Sequence, residues 1–244
     1  MQPTVVSAER IEQLLERLNE QWIRWGRVVV RVPAGQEFCA VLGDGRCEQI
    51  ADGCGQEMTA KLCPVVNEYW RDTPPWKARH SCKNTDICDV AWPIGSPHPP
   101  DKGYPWSAVF VSAIMKQAGF SSTEFSPGDS HADYVVAARE QFLSAYEVVP
   151  TPTVALPGDL ICSMRNNSTF TPNDIGRIVD GARAQPMHCD IVVRLDRSSH
   201  TLEAIGGNVQ QAVAKSVVEL DNANRVTFTN NPNRRWILVM RARR

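Results

Sequence analysis

The sequence predicts an α+β fold, with helices packed on an antiparallel sheet and a helical, cysteine-rich N-terminal part. Three observations carry this expectation. Apolar residues recur at helical spacing in the segments before residue 146, whereas from residue 154 onward short β-rich runs are separated by turn residues. Seven of the seventeen prolines fall between residues 73 and 105, where fixed φ and missing donors argue for an ordered connection. Helices first and strands afterwards is the order of an α+β domain.

Ser7 is placed to cap a first helix whose apolar positions Ile11, Leu14, Leu15, Leu18, Trp22 and Trp25 step by three and four, with Gly26 as its stop. The β-branched run at 28–32 then reads as a strand, broken by Pro33 and Gly35. Past the proline-rich stretch, residues 106–118 read as a helix ending at Gly119. Ser130 and Asp133 open another in capping-box fashion, with Tyr134, Val135, Ala138, Phe142 and Ala145 on its apolar face. Strands are expected at 160–164, 189–195, 201–205, 213–220, 226–229 and 236–240, punctuated by Pro157-Gly158-Asp159 and Gly206-Gly207-Asn208. The proline-rich segment sets an expected division into an N-terminal region, 1–95, and a second domain, 96–244.

The 244 residues are 43% hydrophobic and 22% charged, with a net charge of -1, the balance of a globular chain. No basic footprint for nucleic acid is present. No apolar run reaches the roughly 18 residues of a membrane span, so membrane insertion is not expected. Six of the eight cysteines (Cys39, Cys47, Cys54, Cys63, Cys82 and Cys88) crowd the N-terminal half without a Cys-x-x-Cys pair. Disulfides are therefore expected in preference to a zinc site, and neither metal nor cofactor is expected. Oxidised pairs imply a secreted or periplasmic location. Residues 1–10 lack a signal-peptide pattern, so either a leader has been removed or export uses a machine that needs none.

The motifs Pro105-Trp106-Ser107-Ala108-Val109-Phe110-Val111-Ser112, Ala118-Gly119-Phe120, Ser130-His131-Ala132-Asp133-Tyr134, Pro157-Gly158-Asp159-Leu160, His188-Cys189-Asp190-Ile191-Val192 and Gly206-Gly207-Asn208 follow one another in the chain. That succession resembles the bacterial domain-of-unknown-function family 2272 over about residues 100 to 240. The family is in turn similar to the CHAP and NlpC-like cell-wall amidases and peptidases. The resemblance implies a papain-like core, peptidoglycan as substrate, Ser107 in the nucleophile position, His188 as base and Asn208 orienting it. It also implies Trp106, His131, Asp133 and Tyr134 as cleft residues. Those enzymes carry cysteine where this chain carries Ser107, which leaves open a serine nucleophile, an engineered change or a site without turnover.

The chemistry asks for such a set: a hydroxyl attacks only when a base takes its proton, and a helix N-terminus stabilises the developing charge. Plainer readings stand beside it. Ser107 is also placed to cap a helix, His188 to be a strand histidine with a backbone partner, and Ser130, His131 and Asp133 to begin a helix. Cys189 alternates away from His188 and reads as a buried residue or a disulfide partner of Cys162, whereas Asp190 returns to the face of His188. The function expected is an acyl-transfer hydrolase of peptidoglycan amides, extending to an antibacterial effector with a secretion machine and an immunity protein as partners. The rivals are a cell-wall-binding protein of the same fold and a glycosidase using paired carboxylates, Asp129 with Asp133 or Asp159 with Asp190.

Overall fold

The computed structural model describes residues 2–32, 39–41, 47–48, 62–73, 105–165, 169–180, 183–184, 186–209, 212–228 and 234–244. Four α-helices lie within them, α1 (Ala8–Arg24), α2 (Cys63–Arg71), α3 (Ser107–Gln117) and α4 (His131–Arg139), besides a 3-10 helix over Pro172–Arg177. The strands are β1 (Val28–Val32), β2 (Cys39–Val41), β3 (Cys47–Glu48), β4 (Tyr146–Pro150), β5 (Leu160–Met164), β6 (Val179–Asp180), β7 (Arg183–Ala184), β8 (Met187–Asp196), β9 (Thr201–Val209), β10 (Ala212–Glu219) and β11 (Arg235–Ala242). Nine of them form one sheet in the order β3-β2-β1-β10-β9-β8-β5-β11-β4, and β6 and β7 make a separate hairpin. Every pairing in the large sheet is antiparallel except β1 with β10.

The mixed α+β architecture is thus present, and several elements start where local chemistry starts them. Ser7 accepts a hydrogen bond from the Arg10 N–H at the head of α1, and Gly26 follows its end with φ +84°. Ser130 caps α4 in the same way through the Ala132 N–H. In α1, Leu14 and Leu18 are wholly buried, each contributing about 1.5–3 kcal/mol of hydrophobic stabilisation. The helix α3 packs on β8 and β9 and against α1 and α2, so all its residues from Ser107 to Met115 are buried.

The N-terminal part shares this framework. Pairing of β1 with β10 places it in the same sheet, and one core cluster joins Leu14, Leu18 and Trp25 to Trp106, Phe110 and Leu238. Trp106 is stacked against Trp25 and Tyr69 at ring centroid separations of 5.1 and 5.9 Å. Its indole is a core residue, with no exposed surface to offer a cleft. The division expected at residue 95 falls outside the described residues.

Three expectations are corrected. The helix begun at Ser130 ends at Arg139, Gln141 turns the chain with φ +59°, and Phe142 is 66% exposed beyond it. The strand β4 lies before residue 154 and pairs with β11. At Val226 there is a single bridge to Thr153 in place of a strand over 226–228. Residue 229 and the cysteines Cys54, Cys82 and Cys88 lie outside the described residues.

Cys162 and Cys189 face each other across β5 and β8 and are joined by a disulfide. Cys63 is also disulfide-bonded, and no cysteine among the described residues is free. None of the helices among them is long and apolar enough to cross a membrane.

Candidate functional site

The sheet opens where the chemistry-bearing residues gather. Register between β8 and β9 runs from Asp196↔Thr201 to Ile191↔Ile205. Beyond that point β8 stays paired with β5 down to Met187, while β9 stays paired with β10 to Val209. The first four residues of β8 and the last four of β9 therefore lie outside their shared ladder. Gly206 and Gly207 suit this divergence. A Cβ at Gly206 would lie 1.8 Å from Asp190 Oδ1, and one at Gly207 would lie 2.4 Å from Phe110 Cβ, so only glycine admits the carboxylate on one side and α3 on the other.

Ser107 is the first residue of α3, where helix geometry leaves backbone N–H groups without intrahelical acceptors and the dipole is positive. Its Oγ lies 2.8 Å from His131 Nε2, the first residue of α4. The serine therefore engages an imidazole, in contrast to the plain capping reading. His131 Nδ1 is in contact with the Tyr134 hydroxyl and accepts from the Cys189 N–H at 3.2 Å. Ser107 and His131 are 3% and 4% exposed.

His188 makes no hydrogen bond to Ser107. Its ring centroid lies 5.0 Å from that of His131, but both its nitrogens are engaged elsewhere. A guanidinium can only donate, so the 2.8 Å contact from Arg165 Nη2 makes Nδ1 the acceptor. The proton is then on Nε2, which donates to Asp190 Oδ1 at 2.6 Å. The partner in the orienting position expected for Asn208 is therefore Asp190, whose Oδ2 accepts from Ser216 at 3.4 Å. Asn208 itself is half-buried near the end of β9 with φ +54°, a conformation asparagine tolerates.

Burial dominates the electrostatics, and two arginines add to it. Burial foremost, then His188 and Arg165, hold His131 well below the ordinary histidine range. Burial, then Arg234 and Arg165, do the same to His188, so both imidazoles are neutral near pH 7. Burial raises Asp190 from the usual carboxylate range, against the opposing pull of Arg234, His131 and Arg165. Burial, with Asp190, pushes the Tyr134 phenol well up, so its hydroxyl keeps its proton. Burial and the neighbouring Arg234 bring Arg165 down to about 10.

Of the expected residues, Ser107, His131, Tyr134, His188 and Asp190 are gathered here. Asp133 is exposed on the first turn of α4, and Trp106 belongs to the core. For the carboxylate pairs, Asp159 accepts from the Leu156 and Ala242 N–H groups and from Arg244, a clamp on the C-terminal residues that is separate from Asp190. Sequence reasoning missed Arg165, Arg234 and Ser216. The signal for Arg165 was its place just past β5, two residues beyond Ser163, which is in register with His188. Two guanidinium cations beside His188 and Asp190 are unfavourable neighbours for a metal cation, and no group of three metal-ligating side chains converges among the described residues.

What this arrangement can do turns on the His131 tautomer. With the Cys189 amide donating to Nδ1, the imidazole proton sits on Nε2 and points at Ser107. With Nδ1–H donating to the Tyr134 hydroxyl, Nε2 is bare and can accept the serine proton. Only the second form is a base.

No curated protein and no solved structure matches the chain. Residues 59–242, most of the chain and including all the site residues above, match a bacterial family profile. The chain belongs to the family described as uncharacterized protein conserved in bacteria (DUF2272).

Proposed function

We propose that this protein is a hydrolase that cleaves an amide by acyl transfer, with Ser107 as nucleophile and His131 as its base. The observation that carries the reading is the 2.8 Å contact between Ser107 Oγ and His131 Nε2 at the N-terminus of α3. In the base-competent tautomer, His131 removes the hydroxyl proton as Oγ attacks the carbonyl, and then returns it to the leaving amine. Backbone N–H groups at the start of α3 face the developing oxyanion. Tyr134 takes the orienting place on Nδ1. Its neutral phenol stabilises an imidazolium less than a carboxylate does, which makes for slow turnover. This assignment replaces His188 with His131 as the base.

The resemblance to CHAP and NlpC-like enzymes supplies the papain-like identity and peptidoglycan peptides as the substrate class. The helix N-terminus set against a parted antiparallel sheet supports the first, and the substrate class rests on the resemblance alone. Disulfide bonding agrees with a secreted or periplasmic setting.

A second reading has an observation of its own. The Cys189 N–H directed at His131 Nδ1 holds the tautomer that cannot accept a proton from Ser107, as suits a cell-wall-binding protein that keeps the fold without the chemistry. Incubating purified peptidoglycan with the wild type, Ser107→Ala and His131→Gln, and reading products by mass spectrometry, separates the two. New amine and carboxylate ends that both substitutions abolish support the hydrolase. Intact glycan peptides bound equally by all three proteins support the binding protein, and new reducing ends would indicate a glycosidase.

A further inference from the structure

Beyond Ser107 and His131, the far side of His188 gathers several hydrogen-bond donors among the described residues. Ser163 is directly opposite His188 in the β5–β8 register, and Trp236 is opposite Ser163 in the β5–β11 register, so all three side chains share one face of the sheet. The Ser163 hydroxyl and the Trp236 indole N–H are fully buried and have no hydrogen-bond partner. Native proteins seldom leave such groups unmet, since a buried donor without a partner has given up its hydration for nothing.

Arg165 completes the group. One of its N–H groups donates to His188 Nδ1, it forms no ion pair among the described residues, and its side chain is less completely buried than Ser163 and Trp236. Arg234 adds a second buried guanidinium over the Trp236 ring, 5.9 Å from its centroid. Asp190 is the one carboxylate acting on these arginines that the described residues supply. It directs Oδ1 to His188 and Oδ2 to Ser216, so neither oxygen meets Ser163 or Trp236.

We propose that Arg165, Ser163 and Trp236 form a carboxylate-binding site on the sheet face behind His188. A carboxylate offers two oxygens with about four acceptor positions, enough for a guanidinium fork, a hydroxyl and an indole N–H together, and charge-assisted bonds of this kind are the strong ones. The site stands on these donors alone. Its occupant, a free carboxylate of the peptide being cleaved, rests on the hydrolase reading. The pair of imidazoles lies between this position and Ser107: Ser107 meets His131, and Arg165 meets His188. The site would thus select substrates that carry a carboxylate as well as the scissile amide.

The test is equilibrium binding of N-acetylalanine and of its uncharged amide to the wild type, Ser107→Ala, Arg165→Gln and Arg165→Lys, followed by the ligand-induced shift in thermal unfolding. The acid should bind at least tenfold more tightly than the amide to the wild type and to Ser107→Ala. Arg165→Gln should erase that preference, and Arg165→Lys, which keeps the charge and guards against a general folding effect, should retain part of it. Equal binding of acid and amide, or a preference that survives Arg165→Gln, overturns the proposal. Because no turnover is needed, carboxylate binding without peptidoglycan cleavage would sink the hydrolase reading alone. Cleavage without carboxylate preference would sink this one alone.

Discussion

Replacing Gly206 with alanine puts the parted sheet to a quantitative test. The added methyl would sit 1.8 Å from Asp190 Oδ1, 2.8 Å from its Cγ and 3.2 Å from His188 Nε2. Non-bonded heavy atoms rest near 3.5 Å or beyond, so the carboxylate must move by about 1.5 Å or more. That movement breaks the 2.6 Å bond to His188 inside a site where both partners are wholly buried. Overpacking of a filled site costs about 1–3 kcal/mol, and a buried polar group left without its partner costs about as much again. Gly206→Ala should therefore lose about 2–6 kcal/mol in urea unfolding followed by circular dichroism. Gly176→Ala is the control: no atom lies within 4 Å of its added methyl, and the change should stay within about 0.5 kcal/mol. A Gly206→Ala protein as stable as the wild type would refute the packing of Asp190 and His188 against β9.

Acidification and the disulfide give two further tests. His131 and His188 are both held below the unfolded value near 6.5, so the unfolded chain binds more protons and stability falls as pH drops below about 6.5. The loss should be about 1 kcal/mol per histidine between pH 6.5 and 5.5. Asp190, shifted upward, has the opposite sign but begins to act nearer the carboxylate range. Urea midpoints that are flat or that rise over this interval would contradict neutral burial. The Cys162–Cys189 disulfide closes a loop of sequence separation 27, worth about 3–4 kcal/mol by chain entropy. The Cys162→Ala, Cys189→Ala double variant should lose that stability. It should also change the His131 ring resonances in NMR, because the Cys189 N–H meets His131 Nδ1. Unchanged resonances in a folded variant would remove the link between disulfide and site.

The parts of this fold that could be read from the chain are those that local chemistry decides. Ser7 and Ser130 cap helices because their hydroxyls reach free N–H groups, and Leu160–Met164 is a strand at the bounds expected for it. Strand alternation turned Cys189 away from His188 and left two readings, a buried residue or a disulfide with Cys162, of which the disulfide is present. Long-range pairing was not legible. Nothing near Val28–Val32 announces a parallel partner almost two hundred residues away in β10, and nothing in Tyr146–Pro150 distinguishes a strand from the continuation of α4 until Gln141 reverses the backbone.

The choice between His131 and His188 was hidden for a related reason. Order along the chain favoured His188, yet the strand that carries it also brings Asp190 back to the same side two residues later, and Arg165 arrives from the neighbouring strand. Those two contacts use up the ring. His131, at the head of a helix beside Tyr134, keeps Nε2 for Ser107.

Labelling with a fluorophosphonate, which phosphonylates serine hydroxyls activated by a base, tests the pairing of Ser107 with His131 most directly and needs no knowledge of the substrate. The account predicts one adduct, mapped by peptide mass spectrometry to Ser107 and lost in His131→Gln, with that variant still folded by circular dichroism. No adduct at Ser107 in the folded wild type, or labelling that persists undiminished in His131→Gln, would contradict it.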